Sequence, residues 1–206
     1  AHTAAKSQLK NTTLIKGITA KLPSQMQIMT DDDIARKYPT YKKPLAMYTS
    51  ADARCDFGLN TAANSWGRKN DLDMLGVFYR STILSIFSKV EFLKDNIRKE
   101  IHGKTYIWYE FTSEMLDDKR PEKATAIRMY NFIAYTIHGD LILVFNYTCP
   151  YAEMAKWQPF AESIFSSIRV KKATKIEGYK PMQSPRKTGS PQGEDGKLYK
   201  KLNEGK

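Results

Sequence analysis

Two histidines occupy matching contexts, His102 in Ile-His-Gly-Lys and His138 in Ile-His-Gly-Asp. Imidazole is the side chain that both ligates transition metals and moves protons near neutral pH. Asp140 follows His138 by two residues. Together His102, His138 and Asp140 offer two nitrogens and a carboxylate, a set suited to holding a metal or to acid–base hydrolysis. That chemistry requires both His-Gly turns to lie at one end of a sheet. The alternative is that histidine simply tolerates a turn position beside glycine. The pattern favours the alternative, because a further strand would separate the two turns. No third histidine is well placed, His2 being at the start of the chain.

Cys55 and Cys149 are the chain's two cysteines. As a nucleophile, Cys149 would need a histidine base nearby. His138 is expected at the far end of the same strand, which argues against a Cys/His enzyme. Two cysteines fit a Cys55–Cys149 disulfide in an exported protein, or two idle buried thiols. Asp31, Asp32 and Asp33 could attract a cation, but consecutive helical residues point in different directions and no calcium-loop spacing is present. Three acids in the first turn of a helix, after Thr30, fit capping and the helix dipole better.

Two loops combine aromatic and basic residues as a binding surface would. One interleaves Tyr38, Tyr41, Lys42 and Lys43 with Pro39 and Pro44; the other contains Trp66, Arg68 and Lys69. Either could grip an acidic or aromatic partner, or could be a connector whose rings pack on the domain.

These residues need a body to position them. The chain has 206 residues, 41% of them hydrophobic, enough for one domain with a substantial core. No run approaches the roughly 18 apolar residues of a membrane span. The net charge is +11, unevenly placed: residues 171–206 hold ten Lys/Arg against four Asp/Glu. A basic balance favours phosphates, anionic lipid or acidic proteins. No nucleic-acid motif is visible. A chain that starts at Ala1 is what signal cleavage would leave, as would trimming. Export to the periplasm or outside the cell is the expectation, with a cytoplasmic location as the alternative.

Apolar periodicity predicts a strand over 14–22, a short helix over 31–38 ended by Pro39, and strands over 45–49 and 55–61. A helix follows over 71–88, capped by Asn70, then a hairpin 90–101/105–115 turning at Gly103. A charged loop covers 116–123. A second hairpin, 127–137/141–148, turns at Gly139. Trp157, Phe160, Ile164, Phe165 and Ile168 recur at helical spacing. Pro159 within that pattern either kinks the helix or marks a late start. Gly58 marks a bulge or a close backbone contact. Residues 1–11 and 171–206 are expected to be flexible, the latter a low-complexity basic tail. Hairpins with helices between them predict an α+β domain built on an antiparallel sheet flanked by helices.

This pattern resembles the PsbP-like fold family. It does so through the early strand ending at Leu22-Pro23, the hairpin of 45–61, the helix of 71–88, the hairpins around Gly103 and Gly139, and Trp157 through Val170. The family includes extrinsic photosystem proteins, a nuclear Ran-binding protein, bacterial DcrB-like proteins and secretion chaperones. The resemblance covers about residues 12–170 and implies an α/β/α sandwich without shared catalytic residues or cofactor, whose members bind or stabilise other proteins. The expected function is therefore a non-enzymatic accessory protein that binds another protein through a groove or loops. Two alternatives stand beside it: a metal-binding or hydrolytic module at His102 and His138, and a binder of anionic lipid or nucleic acid through the basic tail.

Overall fold

The computed structural model describes residues 9–39, 42–64, 71–116 and 126–176. Among the described residues, ten strands form two sheets. The small sheet has the order β1-β2-β10, from Leu9–Ile15, Ile18–Pro23 and Arg169–Val170. The large sheet runs β3-β4-β5-β9-β8-β7-β6. Its strands are Gln27–Ile28 (β3), Ala46–Thr49 (β4), Asp56–Ala63 (β5), Lys89–Ile101 (β6), Lys104–Met115 (β7), Ile127–His138 (β8) and Leu141–Pro150 (β9). Every pairing is antiparallel. Three α-helices among the described residues complete the body: α1 (Asp31–Lys37), α2 (Leu72–Ile86) and α3 (Met154–Ser166).

The large sheet is covered on both faces, and the sequence of β7 shows why. Residues 106–111 are buried without interruption, so alternate side chains feed different cores. Tyr106 and Trp108 join Phe132, Phe145, Trp157 and Phe165 under α3 and the small sheet. Ile107, Tyr109 and Phe111 join Leu75 and Ile83 under α2. Phe165 stacks on Phe132 with centroids 4.2 Å apart, which fixes α3 against β8. On the other face, the Tyr109 hydroxyl donates to the Gly76 carbonyl at 2.6 Å. The α+β class and the helix-flanked antiparallel sheet are as expected. Among the described residues no helix is long and apolar enough to cross a membrane.

Several local expectations are corrected. The stretch read as one strand, 14–22, is the β1–β2 hairpin, turned at Gly17 with φ of +90°. Gly58 is not a bulge: β5 pairs in unbroken register with β4 and β9. A Cβ there would lie 2.9 Å from Met47 Cε, so the glycine admits a close side chain. Asp71 caps α2, its Oδ1 accepting from the Asp73 and Met74 amides at 3.1 Å. Pro159 lies inside α3, whose start at Met154 rules out a late beginning. At the other end, chain beyond β10 stays on the body: the Lys171 amide donates to the Gly17 carbonyl at 2.9 Å, and Ile176 packs on the core.

Candidate functional site

The sequence-derived candidates do not converge. The two His-Gly turns do close the β6–β7 and β8–β9 hairpins of a meander. His102 is exposed in its turn with φ of +50°, the left-handed conformation that a turn demands. His138 Nε2 lies 2.8 Å from the Thr174 carbonyl and so carries the proton of that hydrogen bond. Asp140 is exposed, and its backbone carbonyl accepts from the Asn64 amide at 2.9 Å. Among the described residues, no group of three His, Cys, Asp or Glu side chains could hold a metal ion.

Tyr38 is turned into the body. Its hydroxyl donates to Asp56, a buried carboxylate that also accepts from Thr49 Oγ1 at 2.7 Å and pairs with Lys37 Nζ at 2.7 Å. Lys43 pairs with Asp31 at 2.9 Å, and Lys42 is exposed. Tyr41, Trp66, Arg68 and Lys69 lie outside the described residues, as do the loop core 117–125, Asn70 and the tail from 177 onward. Thr30 caps α1, its Oγ1 accepting from the Asp33 amide at 3.2 Å. Cys55 and Cys149 are free, wholly buried thiols.

Among the described residues, the chain presents an open strand edge beside a groove. β1 is the outer strand of the small sheet, and β3 is the outer strand of the large one. Between them lies a groove of about 450 Å³ whose lining includes Lys10, Asn11, Thr13, Gln27 and Ile28, with Tyr48 at its side. Among the described residues, no acidic side chain lines it.

Hydrogen bonding shows which backbone groups of β1 face the groove. On β2, the Lys21 amide donates to Ser167 Oγ at 2.7 Å, and the Gly17 carbonyl accepts from Lys171. Gly17 in the turn and the alternate residues Thr19 and Lys21 of β2 therefore direct their backbone groups away from β1. Asn11 and Thr13 stand opposite Lys21 and Thr19. These are non-hydrogen-bonded pairs, so the N–H and C=O groups of Asn11 and Thr13 point to the open edge. The Tyr48 hydroxyl meets the Thr13 carbonyl there at 3.3 Å, as that geometry requires.

The sequence reading missed this edge because it did not see the hairpin. The signal was present: Lys16-Gly17 is a two-residue turn between Ile15 and Ile18.

No family model matches the chain, and no curated protein matches it. Solved structures do. The cyanobacterial PsbP (CyanoP) of Synechocystis sp. PCC 6803 superposes with a TM-score of 0.55 at 11% identity, over 80% of this chain and 93% of that one. The fold is PsbP-like. The Ran-binding protein Mog1p of Saccharomyces cerevisiae shares it, with a TM-score of 0.50 at 15% identity, over 79% of this chain and 95% of that one. At these identities the likeness is one of fold, and the PsbP-like body carries its own surface.

Proposed function

We propose that this chain is a non-enzymatic accessory protein that binds another protein, and that an extended, acidic segment of that partner adds to the open edge of β1. The observation that carries this reading is the pair of outward-facing backbone groups on Asn11, beside a groove lined without acids. An edge strand of seven residues offers the main-chain ladder that strand addition uses. Lys10 at the groove is exposed and cationic, and the exposed Ile28 on the opposite lip offers an apolar contact. The overall charge of +11 has the sign that attracts such a partner. A protein of the same fold, Mog1p, is a Ran-binding protein, which supports a protein-binding use of the fold.

The test is affinity co-purification from the source cells with three full-length chains: the natural one, Asn11→Pro and Lys10→Glu. Asn11→Pro removes one outward amide and leaves the β1–β2 ladder bonds in place. A partner held by the natural chain should be weakened about ten-fold by Asn11→Pro and weakened again by Lys10→Glu. Equal capture by all three folded chains would place the contact elsewhere.

A further inference from the structure

Cys55 immediately precedes β5, and Cys149 lies on β9, the neighbour of β5 in the large sheet. The β5–β9 register ends at Asp56 opposite Thr148, and one more step sets Cys55 opposite Cys149.

The backbone around Cys55 fixes the kind of pair. Its amide donates to Ser50 Oγ at 3.0 Å, and its carbonyl accepts from the Ser50 amide at 2.8 Å. Both groups therefore point away from β9, and Cys55 and Cys149 form a non-hydrogen-bonded pair. In such pairs the Cα atoms lie about 4.5 Å apart and the side chains are at their closest. That separation falls inside the roughly 4.4–6.8 Å span that a disulfide accepts. Both cysteines are wholly buried, and they are the only two in the chain. A bond between them has no competing partner within the molecule.

From this geometry we infer that Cys55 and Cys149 are a disulfide-forming pair, joined across β5 and β9 when the chain folds under oxidising conditions. The reaction is thiol–disulfide exchange with a disulfide-bearing oxidant such as oxidised glutathione. One deprotonated cysteine attacks an oxidant sulfur and releases a first glutathione thiolate. The second cysteine, also giving up its proton, attacks the mixed disulfide and releases a second. The protein loses two hydrogens and two electrons, and the oxidant becomes two thiols.

Burial raises the Cys55 thiol far above its ordinary value, so Cys55 holds little thiolate in the folded chain and exchanges slowly. Bond formation belongs to the stage before β5 closes on β9. The bond ties residues far apart in sequence, where constraint of the unfolded chain is greatest.

The test refolds the full chain from denaturant with a mixed glutathione buffer. Free thiols are then trapped with an alkylating agent in denaturant, and intact mass and peptide mapping are read. The expected product carries no alkyl group, is lighter by two hydrogens, and yields one peptide pair linked through Cys55 and Cys149. Its thermal midpoint should exceed that of the fully reduced chain by on the order of 10 °C. Cys55→Ala/Cys149→Ala should show the same midpoint in oxidising and reducing buffer. Recovery of two alkylated thiols, a glutathione adduct, or a bonded form with a lower midpoint than the reduced chain would overturn the inference. The mass readout on the natural chain decides the matter even where the double variant does not fold.

Discussion

The Tyr130 hydroxyl donates to Glu110 Oε1 over 2.7 Å, inside the face of the sheet that α3 covers. Lys94 Nζ reaches Oε2 of the same carboxylate, and Gln158 of α3 donates to Oε1 at 3.0 Å. A lone buried carboxylate would be costly. Here it joins β6, β7, β8 and α3 at one point. Three donors, one of them charged, meet the carboxylate, so the network is satisfied rather than strained.

This network predicts an acid limb to stability. Burial pushes the Glu110 carboxyl up, but the hydrogen bonds from Lys94, Tyr130 and Gln158, with the Lys94 charge, outweigh it and hold it below its ordinary value. A carboxylate depressed in the folded state stabilises above its unfolded pKa, about 4.3. That stability is lost as pH falls through the folded value. Urea midpoints should therefore drop below about pH 4.3. Glu110→Ala should cost on the order of 3 kcal/mol at pH 7 by leaving Lys94 unpaired and should flatten the acid limb. A variant with the natural midpoint at pH 7 would remove the network from the account.

The alkaline limb has the opposite sign. Burial pushes Tyr79 and Tyr109 up to about 12. A phenol raised in the folded state stabilises fully below its unfolded value, near 10. That contribution is lost as pH rises from there through about 12. Tyr79 also stacks on Tyr135 with centroids 3.7 Å apart. Absorbance titration should show a set of tyrosines that ionise only near pH 12 or on unfolding, and Tyr79→Phe should shrink it by one. Ionisation of every tyrosine near pH 10 in the folded protein would contradict the packing under α2.

Gly17 turns the β1–β2 hairpin at positive φ, and a Cβ there would lie 2.2 Å from Thr174 Oγ1. Gly17→Ala should destabilise by roughly 1–2 kcal/mol and loosen residues 171–176, whose contacts include the Gly17 carbonyl. Faster amide exchange at Lys171 would report that loosening. A variant as stable as the natural chain would show that the hairpin does not depend on this turn.

The hairpins around Gly103 and Gly139 were legible because period-two patterning flanks two-residue turns that glycine permits. Trp157 through Ile168 was legible because helical spacing reports a buried face directly. The candidate site was not. Edge status depends on which strands lie beside β1, and residues 9–13 carry that information only through pairing with residues 19–23. Glu110, flanked by Tyr109 and Phe111, did carry a signal: a charge in the middle of an apolar strand needs a partner. Its partners Lys94, Tyr130 and Gln158 come from three other elements, so the charge was visible and the network was not. Cys55 and Cys149 were a candidate pair by count alone. Only the β5–β9 register sets them opposite each other.

The central claim is that β1 accepts a partner strand. Amide hydrogen exchange tests it most directly, on the full chain alone and in complex with the protein it co-purifies with. The account predicts that Asn11 and Thr13, whose amides face the groove, slow on complex formation, while the Thr12 amide, directed at β2, changes little. Protection that leaves Asn11 and Thr13 unchanged and falls on another surface would contradict it.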